Sequence, residues 1–370
     1  MDDRNKYKFL VNTFTNWDEP PRARHQVTYA LSKKFQVVFI SANRIGFPTL
    51  KKQQISDNLC VITPFFPLDS RIRVRIPLLN KIYQKWLYRL LYRTYCDYQV
   101  INFDFTALYL HGYFSNNIYY CNDDHISMSY KFNNRWIAEY HYKCEQTVIK
   151  HSNLCIATSK FLVEKIKSLN KNTFEIRLGA PNLEDIRING NIVIKRSDMV
   201  QVGFVGFLNT VDSEILTTLV LKGDVFLTII GPIDNKALSK IRNHKNLKVT
   251  GTLTDQSLYN EVSKFDVGLI PYNLNSEIDR TPNKLWLYLS LGKPVVISNI
   301  KGIRDWEFPD RYVYRAELNT EFYDLIKKAY KENNDELVSQ RIEFARNNSW
   351  DKRMEEFIKL CHQTYNTRFS

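Results

Sequence analysis

The sequence predicts an α/β fold of two doubly wound halves, each a parallel sheet flanked by helices. Three observations predict it. Short apolar runs alternate with longer mixed segments, the rhythm of strand–helix–strand units. A second such series begins after the first, which implies two sheets with separate cores. The length of 370 residues exceeds one ordinary core and suits two. An apolar share of 44% with 14% aromatics supports packed domains rather than disorder.

In the first half the strands are read as KFLVNTF, QVVFISA, LCVITPF, YQVINFD, NIYYCND and LCIATS. Between the first two, PRARHQVTYALSKKF places Val27, Ala30 and Leu31 on one helical stripe, with proline suited to its first turn. The second-half strands are QVGFVGF, VFLTIIGP, LKVTG, DVGLIPY and PVVISN. The simplest arrangement is two Rossmann-like domains facing across a cleft, spanning 1–185 and 186–345. Their junction lies between Leu178 and Asp198, where turn residues collect around one short apolar run. The tail, 346–370, reads as a helix capped by Asn348 or Ser349, with Met354, Phe357, Ile358 and Cys361 sharing a face.

Charge narrows the partners. The 52 Lys and Arg exceed the 39 Asp and Glu by 13, a balance that suits phosphorylated substrates, anionic membranes or nucleic acid. It clusters at RIRVRIPLLNKIYQKWLYRLLYR, where Arg71, Arg73, Arg75, Lys81, Lys85, Arg89 and Arg93 stand without one acid. Leu78, Leu79, Ile82, Tyr83, Trp86, Leu87, Leu90 and Leu91 are spaced for one face of that helix. A basic helix with such a face reads as an interfacial membrane anchor, or as a core-packed helix with a solvated basic side. No nucleic-acid motif accompanies it, so nucleic acid is not expected as a partner.

The six cysteines form no CxxC pair and have no histidines at metal-ligand spacing, so reduced thiols and no bound metal are expected. The charged start runs straight into a strand, which argues against a signal peptide. No window reaches the about 20 apolar residues that a spanning helix needs. A cytoplasmic protein, peripheral at the inner face of the membrane, is the expectation.

The chemistry concentrates in the second half. QVGFVGFL carries Gly203 and Gly206 at the end of a strand, where a backbone can approach a phosphate. Asn209 stands where a third glycine of a dinucleotide fingerprint would be, which argues against nicotinamide or flavin. The stronger signal is FDVGLIPYNLNSEIDRTPNKLWLYLSLGKPVVISN. A buried strand ends at Pro271, a polar loop follows, and Pro282 starts a helix with Asn283 and Lys284 in its first turn. A helix start beside a lysine favours a diphosphate through both dipole and ammonium.

This stretch resembles the donor-binding domain of GT-B glycosyltransferases, in particular family 4 and the teichuronic-acid-type enzymes near it. Pro282, Lys284, Tyr288, Leu289, Gly292, Lys293, Pro294, Val295 and Val296 match their P-x-K-x-x-E-Y-L-x-x-G-K-P-V-V segment. VGFVGFLNTVDSEIL and TIIGP match upstream, while NTFTNWDEPPRARHQ, YYCNDDH and CIATSKFLVEKI look like the acceptor domain. The tail NNSWDKR resembles the helix that crosses back onto the first domain. Two features depart from the pattern. Leu287 occupies the place of the ribose-binding Glu, and FLNTVDSE lacks the usual Arg and Lys. The resemblance implies transfer of a sugar from a nucleotide-diphosphate donor, a UDP-sugar first, to a lipid-linked or cell-surface polysaccharide acceptor. Donor contacts would come from Gly206, Tyr272, Glu277, Asp279, Arg280, Asn283 and Lys284. No cofactor beyond that co-substrate is implied. A transferase-like binding subunit and a nucleotide-sugar 2-epimerase are the alternatives.

In the first half, Arg22, Arg24 and His25 open a helix just after the first strand's loop and are read as acceptor or diphosphate contacts, or as a solvated first turn. Asp124 ends the strand NIYYCND with His125 behind it, and it is the first candidate for a base that would deprotonate an acceptor hydroxyl. Asp18 and His25 are the other catalytic candidates, with helix capping the competing role for Asp124. Retention is expected ahead of inversion, since the leaving diphosphate can itself take the proton. Arg24, Lys85, Trp86, Arg89 and Arg93 are the acceptor or membrane candidates.

Overall fold

The computed structural model describes residues 7–181, 197–234, 236–274 and 282–366. The chain divides into two compact units, Met1–Leu178 with Arg353–Ser370, and Gly179–Lys352.

The first unit is built on a nine-stranded sheet of β1 (Lys8–Asn12), β2 (Gln36–Ile40), β3 (Arg44–Ile45), β4 (Thr49–Ser56), β5 (Leu59–Phe66), β6 (Gln99–Asn102), β7 (Asn117–Cys121), β8 (Leu154–Ala157) and β9 (Thr173–Glu175). Its order is β3-β5-β2-β1-β6-β7-β8-β9 with β4 beside β5. All pairings are parallel except β4 with β5. The central strands are buried on both faces because helices cover both, which is why they read as unbroken apolar runs. Strand order reverses at β1, which has β2 on one side and β6 on the other.

The last helix, Trp350–Asn366, completes this unit from the far end of the sequence. Ser349 caps it by accepting from the Lys352 N–H at 3.4 Å. Met354, Phe357 and Cys361 are buried as their spacing predicts, while Ile358 is half-buried. Phe357 meets Phe9 of β1 with ring centres 6.0 Å apart, and the Tyr7 hydroxyl bonds His362 Nδ1 at 2.8 Å.

The second unit holds a six-stranded parallel sheet of β10 (Val200–Val205), β11 (Val225–Ile230), β12 (Leu247–Gly251), β13 (Val267–Ile270), β14 (Val295–Ser298) and β15 (Val313–Ala316). The order is β12-β11-β10-β13-β14-β15, so strand order reverses between β10 and β13. In an open sheet of this kind, ligands bind outside the carboxyl ends of the strands at the reversal.

The helix after β1 runs Ala23–Ser32, so Pro20 and Pro21 precede its cap instead of entering its first turn. Four strands escape a sequence reading. β4 is polar, almost wholly exposed and antiparallel, and β3 and β9 have two and three residues. β15 is an edge strand whose VYRA composition carries no apolar run.

Candidate functional site

Two strand ends flank the reversal in the second sheet. Gly206 follows β10 at φ +128°, a backbone region that L side chains seldom adopt. Its N–H donates to Ile230 O at 2.8 Å, which ties the turn to β11. A Cβ on Gly206 would lie 2.9 Å from Lys284 Nζ, so the glycine makes room for the lysine head. On the next strand, a Cβ on Gly231 would fall 2.2 Å from the Gly206 carbonyl oxygen. Gly231 therefore allows the two turns to lie against each other, a role no sequence reading assigned to it.

Tyr272 follows β13 and is pinned through its backbone. It forms an isolated bridge with Val211, and its carbonyl accepts from the Ser298 hydroxyl. The Lys284 ammonium sits 4.1 Å from the centre of the Phe204 ring and 4.9 Å from that of Tyr272. Two aromatic faces beside the ammonium stabilise its charge. Phe204 was invisible as a site residue because phenylalanine in a strand reads as core.

The helix carrying Lys284 spans Asn283–Ser290, follows Pro282, and has no side-chain cap and no acid in its first turn. Asn283 is exposed at its start. The remaining length is a packing device. The Tyr288 hydroxyl accepts from the Val205 N–H at 2.9 Å, and its ring fills the space beside Gly268. Leu287 is buried among the helix's apolar residues. Lys293 is also buried and donates to Ser263 O at 2.7 Å, and burial lowers its pKa to about 8. It holds the chain and does not join Lys284.

Gly206, Tyr272, Asn283 and Lys284 are thus gathered at one end of the second sheet. Glu277, Asp279 and Arg280 lie outside the described residues.

The first unit places its candidates differently. Asp124 caps the helix His125–Phe132, accepting from the Ser127 N–H at 3.2 Å and its hydroxyl at 2.6 Å. Lys165 Nζ is 2.8 Å from the same carboxylate. Burial pushes that carboxyl up, but Lys165 and Ser127 outweigh it and leave its pKa lowered. A buried, ion-paired cap is a weak base, so the geometry favours the capping role.

His25 is also engaged at both nitrogens. Nδ1 accepts from the Arg22 N–H at 3.1 Å, leaving Nε2 to donate to Asn16 O at 3.1 Å. Burial lowers its pKa to about 4, so the ring is neutral and closes the loop between β1 and the first helix. Asp18 is exposed and pairs with Arg44 at 2.6 Å. Arg24 is buried, with its guanidinium 4.3 Å from the centre of the Phe14 ring.

The basic helix, Pro77–Tyr95, corrects the anchor reading in part. Tyr83, Leu87 and Leu91 are core residues, and Trp86 packs on Phe66 with ring centres 5.6 Å apart. Arg73 is buried, donates to Asn43 and Asn80, and lies over the Tyr83 ring, so it is no part of the surface charge. Lys85, Arg89 and Arg93 are exposed. The apolar face is thus spent on the core for most of its length, and only its first turns remain exposed, at Leu78 and Ile82.

Two comparisons bear on this arrangement. Residues 196–331 match the family described as Glycosyl transferases group 1. The whole chain superposes on sucrose-phosphate synthase from Thermosynechococcus elongatus at a TM-score of 0.73, with 11% identity over 97% of this chain and 99% of that one. The fold is GT-B.

Two further structures share the fold. An Anabaena protein, HepE, in complex with UDP gives a TM-score of 0.66 at 11% identity, covering 96% of this chain and 99% of that one. A lipopolysaccharide outer core galactosyltransferase gives 0.62 at 12% identity, covering 95% and 98%. No curated protein matches the sequence. Among the described residues, no helix is long and apolar enough to cross a membrane.

Proposed function

We propose that the chain transfers a sugar from a nucleotide-diphosphate donor, a UDP-sugar first, to an acceptor hydroxyl. The observation that carries this reading is the Lys284 ammonium beside Gly206 at an uncapped helix start, where strand order reverses. The match of residues 196–331 to the group 1 glycosyl transferases and the UDP held by the Anabaena neighbour support it.

In this reading the acceptor oxygen bonds to the anomeric carbon while the bond from that carbon to the diphosphate breaks. Lys284 and the amides at the start of its helix receive the charge left on the diphosphate. With Asp124 held as a cap and His25 as a neutral loop closure, the acceptor proton passes to the leaving phosphate on the same face, which is a retaining course.

A thermal-shift series tests the donor site. Saturating UDP stabilises the folded second unit by about 2.7 kcal/mol at 100 times its Kd, which corresponds to several degrees in Tm. A nucleoside without phosphates produces little shift. No shift with any nucleoside diphosphate or nucleotide sugar would remove the proposal. Binding of UDP with no transfer or hydrolysis across a panel of sugars would instead make the chain a binding subunit, and product formed without acceptor would make it an epimerase.

The acceptor side of the proposal is a lipid-linked or polysaccharide glycan reached at the inner face of the membrane. Two sets of exposed apolar residues support the membrane contact. Leu78 and Ile82 open the basic helix, while Phe132 and Trp136 start the neighbouring helix Arg135–His151 or precede it. Trp136 stacks on Tyr140 with ring centres 6.4 Å apart, and the Tyr140 hydroxyl accepts from Asn80 at 3.1 Å. That bond links the two helices, and Lys81, Lys131 and Arg135, close in sequence to these apolar residues, are exposed. Changing Ile82 and Trp136 to Glu should lower co-sedimentation with anionic vesicles at least tenfold, and Arg89→Glu with Arg93→Glu should lower it less. Undiminished binding of the first pair would exclude this surface.

A further inference from the structure

The first sheet has a reversal of its own, between β1 and β6, and side chains that no step above uses converge there. Phe14 follows β1, Phe105 follows β6, and His125 follows β7. The Phe14 and Phe105 rings meet edge to face at 6.0 Å, and His125 stacks on Phe105 at 5.0 Å and meets Phe14 at 5.5 Å. Arg24 lies over the other member of this group, its guanidinium carbon 4.3 Å from the Phe14 centre.

What marks the group is its unmet hydrogen-bonding capacity. Arg24 is 2% exposed, and its Nε and Nη1 are sealed from solvent with no hydrogen-bond partner among the described residues. His125 is 7% exposed, and its Nε2 is in the same state. Buried polar groups are nearly always paired, and an unpaired guanidinium is the most expensive exception. One aromatic face returns only a small part of that cost. Asp104 and Asp123 act on Arg24 through space, but neither provides the missing bonds. The Asp104 Oδ1 is taken by the Thr106 N–H and hydroxyl at 2.8 and 2.7 Å, and Asp123 accepts from Asn122. Burial lowers the Arg24 pKa to about 10 and that of His125 to about 3, the latter with help from the Arg24 charge. A compact anion between them would reverse both effects.

We propose that Arg24 and His125 form a receiving site for a compact oxyanion, a phosphoryl or carboxylate group, at the reversal of the first sheet. The guanidinium offers unpaired N–H donors at Nε and Nη1 to the oxygens of such a group. His125 Nε2 adds a third contact, and Phe14 and Phe105 keep water out. Under the transferase reading the oxyanion belongs to the acceptor, and that assignment rests on the reading, whereas the site itself does not.

The test uses the full chain carrying Lys284→Ala, so that phosphate bound at the donor end does not contribute. Inorganic phosphate and acetate are titrated at constant ionic strength against a chloride control, with Tm and the side-chain ¹⁵N signals of His125 as readouts. The expected result is a saturable rise in Tm with at least one of the two anions and a shift of the His125 ring signals along the same binding curve. Phosphate favoured over acetate identifies a phosphoryl group, and the reverse identifies a carboxylate. Arg24→Met should weaken the anion at least tenfold while leaving Tm in chloride unchanged or higher, because it removes an uncompensated buried charge. Arg24→Lys, which keeps the charge and loses the guanidinium donors, should weaken it severalfold. Should Arg24→Met fail to fold, the lysine variant and the ring signals decide. An unmoved His125 ring, or equal anion stabilisation in the parent and the Arg24 variants, overturns the site. Both results are independent of whether UDP binds the second unit.

Discussion

Lys284→Ala is expected to lower turnover with a competent donor by two to three orders of magnitude while leaving the second unit folded. Under the proposed transfer the ammonium faces the charge that develops on the leaving diphosphate, and one preorganised charge contact of that kind contributes about 3–4 kcal/mol to the barrier. At about 1.4 kcal/mol per tenfold, that accounts for the range. The fold loses little, since the lysine's contacts over Phe204 and Tyr272 are worth about 1 kcal/mol together. Lys284→Arg should recover part of the loss. Gly231→Ala provides a separate check through the backbone, because its Cβ would lie 2.2 Å from the Gly206 oxygen and must push the turn out of place. Its cost should appear in both stability and UDP affinity. Steady-state kinetics with each variant decide the matter, and full turnover in Lys284→Ala would exclude the diphosphate assignment.

The second large effect is on stability against acid. His25 and His125 are buried and neutral, with pKa values lowered to about 4 and about 3. In the unfolded chain both rings charge as the pH falls below their ordinary value near 6.5. The unfolded state therefore binds protons that the folded state refuses. Their contribution to stability is complete above pH 6.5 and is lost progressively down to about pH 4, where His25 begins to charge in the fold, and on to about pH 3 for His125. At pH 5 the two rings together cost roughly 4 kcal/mol. Urea midpoints of the first unit, measured at pH 7.5 and 5.0 in phosphate-free buffer, should differ accordingly. His25→Gln with His125→Gln should be less stable at pH 7.5 and should flatten the dependence. A wild-type midpoint that does not move between these pH values would contradict the buried, neutral assignment.

The parallel core of each sheet was legible because its strands are buried on both faces and so appear as unbroken apolar runs. β4 was not, since TLKKQQIS is held by backbone pairing to β5 and needs no apolar face. Lys284 was legible through its helix start and motif. The cradle around it was not, because Phe204 and Gly231 have no local signature that separates a site from a core. His25 and Asp124 drew attention for the right physical reason, polar groups at strand ends, yet that same position is where loops must be closed and helices capped. Sequence alone cannot weigh these two uses. Arg24 drew attention in the same way, as an acceptor or diphosphate contact in a helix's first turn. Only its burial against Phe14 separates it from Arg22, which is exposed and pairs with Glu19 at 3.3 Å.

The first unit is made from both ends of the sequence, with Gly179–Lys352 inserted between them. During synthesis the ribosome delivers nearly all of its sheet long before it delivers Phe357 and Cys361, which fill that sheet's helix-covered face. At about 5–20 residues per second, the intervening stretch imposes a wait of roughly 10–35 s. Over that interval Phe9 has Tyr7 and Phe35 beside it but lacks the Phe357 ring of the finished protein. The second unit, contiguous in sequence, can complete its core first. This protein therefore reverses the usual vectorial order, and its nascent first unit is the stage at which a chaperone would have most to hold.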